Sequence, residues 1–340
     1  MNSNVKNILG EQIFNAIDIG GAGGLQPHWS LISDVADIYI FEPNTRSYNE
    51  LVKMKQESQE LNHKIINKAV SGAGGKTVLY ATSNPNGSSL LQLDMESGAI
   101  SRDNTELFPV TEIPIDTISL GGFIADQKLQ WIDLIKIDAQ GAEFDILKGM
   151  DQSLDSLLGV EMEVTIRPMY RNQATFYDVN HFMLAKGYEL FDIKTFRADW
   201  YIGSSIRKNV ASQLSKDLGV SPFAVAHQIH DADLLFFKSE KTVLASKDQA
   251  QMRRLILLYC TYNYFGHALT MIEDMHTANL ITSAEKDQLS QSVTNIAKLL
   301  KPNFFVKAIQ FFQKAARRVK NSVDKRAKGW VSYDTTNNIF

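Results

Sequence analysis

The segment Phe14–Gly24, FNAIDIGGAGG, limits what this chain can fold into more than any other stretch. An apolar run over Ile13–Ile17 leads to Asp18, and four glycines and an alanine follow by Gly24. That is the pattern of a buried parallel strand feeding a tight loop ahead of a helix. Glycine permits φ > 0 and lets a ligand approach the main chain closely. Asp18 stands where strand passes into loop, so its carboxylate faces whatever the loop holds. In an open α/β sheet that place is the crevice at the carboxyl ends of the strands.

Two cofactor classes compete for such a loop. A dinucleotide site calls for G-x-G-x-x-G, but Gln26 stands where a third glycine should follow Gly21 and Gly23, so the spacing fails. What is present is Asp18-x-Gly20-x-Ala22-x-Gly24. This resembles motif I of class I S-adenosylmethionine-dependent methyltransferases, whose loop wraps the amino-acid end of the cofactor. A glycine-rich turn with no ligand is the structural alternative.

Pro27–Ala36 reads as a short helix and Asp37–Phe41 as a second buried strand, closed by Glu42, Pro43 and Asn44. An acid at the end of the second strand can accept both hydroxyl protons of a ribose. Dinucleotide folds use an acid in the same way, so Glu42 argues for an adenosine-containing ligand without choosing the cofactor. Alternatively, Glu42 caps the helix that starts near Arg46. Next come a helix over Ser47–Gln59, a third strand over Lys64–Val70 and an edge strand over Lys76–Thr82. Ser83–Leu91 has the composition of a loop that covers a site. A strand over Val110–Ile115 follows.

Trp131–Asp138, WIDLIKID, is the second strong element, a buried strand with Lys136 inside it and Asp138 at its end. Leu158–Ile166 is another strand, with Glu161 and Glu163 two apart and so on one face, where they need partners or a functional reason. A helix over Thr175–Lys186, a strand over Tyr188–Ile193, an irregular stretch over 197–230 and a strand over Ala232–Phe237 complete this part. From Lys241 the pattern is helical: Gln249–Met275, Ser283–Leu300 with a cap at Ser283, and Asn303–Lys325. The expected division is a cofactor domain over residues 1–240 and a helical extension over 241–340.

The formal net charge is −3, so the chain as a whole is not suited to polyanions and no nucleic-acid partner is expected. Residues 301–340 nevertheless carry nine basic residues against two acidic, leaving −10 for the remainder. The helix over Asn303–Lys325 gathers Phe304, Phe305, Ile309, Phe312 and Val319 on one side, with Lys307, Lys314, Arg317 and Arg318 largely elsewhere. Such a helix can lie on an anionic membrane surface or meet an acidic partner, or pack its apolar face on neighbouring helices. Cys260 is the only cysteine, which excludes an internal disulfide. The N-terminus lacks the apolar core of a signal peptide, and no window reaches the roughly 18 apolar residues of a membrane span. These features point to a cytoplasmic protein, peripheral at the inner membrane face if the basic helix binds lipid.

Taken together, DIGGAGG, IYIFEPN, NPNGSSLL, IPIDTI, DLIKIDAQGAE and FDILKGM resemble the FkbM family of S-adenosylmethionine-dependent methyltransferases. The resemblance covers about Ile13 to Lys194 and, more loosely, the strand ADLLFFK. It implies a Rossmann-like α/β fold: a seven-stranded sheet with helices on both faces, here with the helical extension added. It also implies S-adenosylmethionine as cofactor and O-methylation of a sugar, glycan or polyketide-type acceptor. Two departures stand out. The family commonly has Asn in the motif I loop, where this chain has Gly20-Gly21-Ala22-Gly23-Gly24, and Ala139 replaces a usual valine.

On that resemblance Glu42, with Asn44 beside it, would hold the ribose, and the backbone around Gly20, Gly21, Ala22 and Gly24 would face the methionine portion. Asn67, Ala69 and Val70 would border the adenine. Asp138 would lie nearest the reacting methyl, against the cofactor amine or the acceptor hydroxyl. Glu143, Glu163 and His28 are further candidates for proton transfer. Each has a structural alternative: Glu143 caps a helix start, Glu163 pairs with Lys136 or Arg167, and His28 packs. His227-x-x-His230-Asp231 has metal-ligand spacing, but loop histidines are the preferred reading and no metal is expected. Trp200-Tyr201 could stack on a sugar ring or pack. The rivals are a nicotinamide-dependent oxidoreductase, disfavoured by the glycine spacing, and a non-catalytic adaptor, disfavoured by three strand-end acids, Asp18, Glu42 and Asp138.

Overall fold

The structure, a computed structural model, describes residues 2–58, 63–83, 87–96, 110–197 and 229–300, with four more between 213 and 219. The expectations for Trp200-Tyr201, His227 and the basic helix over 303–325 lie outside the described residues.

Among the described residues ten strands run β1 (Phe14–Ile19), β2 (Ala36–Phe41), β3 (His63–Ile66), β4 (Ala69–Val70), β5 (Gly75–Ala81), β6 (Thr111–Ile118), β7 (Leu134–Ile137), β8 (Gly159–Thr165), β9 (Tyr188–Arg197) and β10 (Ile229–Lys238). Seven form one sheet in the order β3-β2-β1-β7-β8-β10-β9, and the other three a small sheet, β4-β6-β5. In the large sheet, strands β3 to β8 pair parallel, whereas β10 runs antiparallel to both β8 and β9. The chain goes one way from β1 to β2 and the other way to β7, so the crevice between their carboxyl ends is the topological switch point where ligands bind. The seven-stranded α/β architecture anticipated above is present.

Alternation along each strand divides the core. On one face Phe14, Ala16, Ile38, Ile40, Leu134, Leu235 and Phe237 pack with helical residues such as Leu255, Leu258, Met271 and Val293. These come from α6 (Glu240–Ser246), α7 (Gln249–Thr261), α8 (Phe265–Thr277) and α9 (Ser283–Leu300), with α1 (Asn2–Leu9) beside them. On the other face Ile17, Tyr39, Ile135, Val160 and Phe236 pack against α3 (Leu120–Asp126), α4 (Glu143–Lys148) and α5 (Phe176–Ala185). The helices after Glu240 therefore share one hydrophobic cluster with the sheet. Among the described residues no helix is long and apolar enough to cross a membrane.

Four of the differences from the sequence reading reshape an element or its cap. The strand expected over Lys64–Val70 ends at Ile66, because the amide of Asn67 clamps the turn by donating to the carbonyls of Glu42 (2.8 Å) and Pro43 (3.1 Å). Ala69 and Val70 then pair with β6 in the small sheet. Only Pro27–Leu31 of the expected Pro27–Ala36 helix forms, as a 3-10 turn. The helix expected over Gln249–Met275 breaks at Asn263, whose φ of 64° is left-handed, while Tyr264 N–H reaches back to the Tyr259 carbonyl (2.8 Å). The cap of α9 is Thr282, in a reciprocal box with Glu285, and not Ser283.

One buried ion pair ties the helical layer to the foot of the sheet. Arg254 Nε of α7 donates to Asp133 Oδ1 (2.7 Å), and Asp133 Oδ2 accepts the backbone N–H of Asn15 (2.9 Å). The guanidinium also lies 4.5 Å over the Trp131 ring. Removing one partner strands the other charge in the core. Arg254→Ala is therefore expected to destabilise the fold by about 3–5 kcal/mol, read as a lowered urea midpoint.

Candidate functional site

The loop after β1 is shaped by contacts that only glycine permits. Gly20 has φ +84°, and a Cβ there would stand 2.0 Å from the carbonyl oxygen of Asp138. Its N–H and that of Gly21 both donate to the Phe41 carbonyl (3.0 and 3.3 Å), which pins the loop across the ends of β1 and β2. A Cβ on Gly21 would lie 2.4 Å from Ile40 Cγ2, and Gly24 takes φ +83°. Ala22 and Gly23 form the exposed crest of the loop. Asp138 N–H donates to the Ile19 carbonyl (3.0 Å), so the ends of β1, β2 and β7 are stitched together at this point.

Asp18, Glu42 and Asp138 converge around that turn. Asp18 is fully buried and neither carboxylate oxygen has a hydrogen-bond partner among the described residues. Lys136 Nζ stands 3.7 Å from Asp18 Oδ1 and 3.5 Å from Asp138 Oδ2, bridging the two acids as an ion pair. Burial pushes the Asp18 carboxyl up to about 6 against the pull of Lys136, with Glu161 and Asp138 adding repulsion. Glu42, 4% exposed, accepts the Asn44 N–H on Oε1 (2.7 Å). Burial raises its pKa too, and the charge of Asp138 adds to the rise. Asn44, not Glu42, caps the helix α2 (Thr45–Ser58), its Oδ1 accepting from Arg46 and Ser47 N–H. Glu42 is thereby left for another use.

A second row of charge lies further along the same face. Register places Asp18, Lys136 and Glu161 side by side across β1, β7 and β8, and Glu163 opposite Asp233 of β10. Gln140 Nε2 donates to Asp138 Oδ1 (3.0 Å) and to Glu163 Oε2 (3.3 Å), linking the rows. Glu163 is held well above the usual carboxylate range by burial and by Asp138, Asp231, Glu143 and Asp233. Asp233 is pushed to about 6 by burial and Glu161, with Lys194 opposing. Lys136 turns to Asp18 and Asp138, not to Glu163 as the sequence reading allowed.

The other predicted residues take different places. Glu143 is buried beneath the Asp138–Glu143 loop, where Oε1 accepts the N–H groups of Ala139 and Gly141 (2.9 Å each). It pins that loop. Asn67 serves the turn after β3, and Ala69 and Val70 are buried in the small sheet. His28 Nε2 meets Glu161 Oε2 at 3.2 Å, its ring 4.8 Å from that of Tyr262. His230 Nδ1 lies 2.6 Å from Asp231 Oδ2, and no metal-binding cluster exists among the described residues.

The sequence reading did not single out Gln140, Asp233, Tyr170 or Tyr262. Tyr170 donates to the Gly87 carbonyl (3.0 Å), and Ser89 donates to that of Gln140 (2.6 Å). Together these bonds tie the 87–91 segment to Tyr170 and to the Asp138–Glu143 loop. A clue to Tyr262 existed in Asn263, a residue type that tolerates φ > 0 and ends helices.

A family model described as "Methyltransferase FkbM domain" matches residues 29–190. Among solved structures the chain is similar to an rRNA methylase from Streptococcus thermophilus (7% identity, 69% of this chain, 92% of that one, TM-score 0.32). It is also similar to precorrin-6y C5,15-methyltransferase from Geobacter metallireducens GS-15 (10%, 70%, 87%, 0.31). A third is M. capricolum TrmK in complex with S-adenosyl-homocysteine (10%, 88%, 95%, 0.32). At these identities and scores the chemistry of this chain rests on its own residues. No curated protein matches the sequence.

Two measurements check the site's construction. Gly20→Ala is expected to cost roughly 2–6 kcal/mol from strain and clash. Gly23→Ala, whose Cβ meets nothing within 4 Å, should cost little in the same thermal unfolding series. The Glu143 carboxyl is raised by burial from 4.5 to about 7. Its contribution to stability is therefore full below pH 4.5 and is lost as pH rises through about 7. Glu143→Gln should flatten the stability curve across that window by on the order of 3 kcal/mol relative to the natural chain.

Proposed function

We propose, from the match of residues 29–190 to the methyltransferase FkbM domain, that the chain is an S-adenosylmethionine-dependent O-methyltransferase acting on a hydroxyl of a glycan, sugar or related metabolite. The observation that carries the cofactor assignment is the convergence of Asp18, Glu42 and Asp138 on a glycine turn with no room for a Cβ at Gly20 or Gly21. The fit is chemical. Asp18 offers two buried oxygens without hydrogen-bond donors, suited to an α-ammonium. Glu42, freed from capping by Asn44, suits a ribose diol. No third glycine is available to cradle a diphosphate, which weighs against a nicotinamide cofactor.

S-adenosylmethionine supplies, when bound, an electrophilic sulfonium methyl. The protein's part is to align an acceptor oxygen in line with it and to remove the hydroxyl proton. Asp138 stands at the β7 end where both can be reached, held by Gln140 and Lys136. Glu163 lies one hydrogen bond away through Gln140, and burial among Asp138, Asp231, Glu143 and Asp233 makes it a stronger proton acceptor than an ordinary carboxylate. Asp138 orients and Glu163 receives the proton. The acid-rich face around them (Glu161, Glu163, Asp231 and Asp233) disfavours polyanionic acceptors and accommodates neutral or cationic polyols. That supports a sugar-like acceptor over a nucleic acid.

Calorimetry with S-adenosylhomocysteine and with NAD tests the cofactor. The first should bind and the second should not, and binding of NAD alone would overturn the reading. Glu42→Ala should weaken S-adenosylhomocysteine roughly 10- to 100-fold, the worth of a hydrogen bond to a charged group. A radiolabelled methyl-transfer screen over surface-glycan extracts, with Asp138→Ala as control, tests the acceptor class.

A further inference from the structure

The helices after Glu240 do more than cover the sheet. Tyr262, just past the end of α7, donates its hydroxyl to Glu161 Oε2 (2.8 Å) and accepts from Trp29 Nε1 (3.3 Å). The same Glu161 oxygen meets His28 Nε2 at 3.2 Å. A carboxylate only accepts, so His28 bears a proton on Nε2. His28 and Trp29 belong to the 3-10 turn that directly follows the glycine loop. Glu161 is thus gripped from two directions, by the loop that shapes the crevice and by the helical layer.

Resting on the methyltransferase reading, we propose that Tyr262 is a positioning residue for the transfer site. With His28 it pins the Glu161 carboxylate beside Lys136, and so sets the charge with which Asp18 meets the cofactor. The groups facing Glu161 come from every element packed on it: His28 from the 3-10 turn, Tyr262 from the α7 end, Lys136 from β7, Asp18 from β1 and Asp233 from β10. Burial alone would raise Glu161, yet the hydrogen bond and charge of His28, the Tyr262 hydroxyl and Lys136 bring it below its ordinary value. Glu161 therefore stays ionised and acts on its neighbours. It reinforces the Lys136 ammonium and repels charge on Asp18. Tyr262 is buried, and its hydroxyl acts on the charged row through its hydrogen bond to Glu161.

The consequence is a sign that a packing role would not produce. If Glu161 loses its charge, Asp18 ionises more easily and the acidic limb of cofactor binding moves to lower pH. Calorimetric titration of S-adenosylhomocysteine across pH, with thermal melts at each pH, reads this limb for the natural chain, Tyr262→Phe and Glu161→Gln. Glu161→Gln keeps an oxygen acceptor for Tyr262 and His28, and should shift the limb down by roughly one unit. Tyr262→Phe should shift it in the same direction by less. A uniform loss of affinity at all pH values, with both midpoints unmoved, would overturn the inference while leaving the methyltransferase reading intact. No binding by the natural chain at any pH would overturn both.

Discussion

A lysine in a central strand of a covered sheet has to be met by carboxylates, and the candidate site is what meets Lys136. Its side chain is 11% exposed, and its ammonium stands 3.7 Å from Asp18 and 3.5 Å from Asp138. An isolated charge so placed would be neutralised or expelled. Here Asp18, Asp138, Glu161 and Asp233 act together to keep it charged against burial. The bargain runs both ways, since Lys136 is also what keeps Asp18 from rising further. One half of this sheet face is apolar and roofed by helices, and the other, toward the carboxyl ends of the strands, is a balance of charge. The boundary between them passes through Glu161, which follows Gly159 on β8 with only one residue between.

The division of one face into an apolar and a charged half explains why the site sits where it does. Phe14 and Ala16 of β1 and Leu134 of β7 lie under α7 and its neighbours. Two and four residues on, the same side of each strand carries Asp18, Lys136 and Asp138. Period-two alternation thus delivers core first and chemistry second along a single strand. The glycine loop and the Asp138–Glu143 loop close the top, each held by a device that leaves side chains free. In the first, backbone amides are bound to Phe41, and in the second to Glu143.

Much of this was legible in local sequence. The strand-end acids Asp18, Glu42 and Asp138, the glycine turn and the seven-stranded plan depend on neighbours within a few positions, and they appear as expected. Side-chain direction was not legible where partners lie far off in the chain. Glu143 and Glu163 look alike as candidates, yet one is consumed by two backbone N–H groups and the other faces Gln140. The pair Glu161 and Glu163 was seen to need partners, but those of Glu161 are His28 and Tyr262, 133 and 101 positions away. The break of β3 at Asn67 was hidden for a similar reason, because the clamp on Glu42 and Pro43 spans separate strands.

The helical region after Glu240 looks from its composition like an appendage, and two contacts argue that the site depends on it. At the amino ends of the strands, Arg254 is bound to Asp133 between β1, β7 and β8. At the far end of the same helix, the left-handed turn at Asn263 leaves Tyr262 positioned over Glu161. Helix α7 is therefore fixed near its middle by a buried ion pair at the foot of the sheet and, just past its end, by a hydroxyl at the border of the charged half. A rigid span of this kind couples the packing of the helices to the geometry of the acids. Removing the helical layer would expose Phe14, Leu134 and Phe237 and would also release Glu161 from one of its two grips. In this chain the crevice and its roof are one structure.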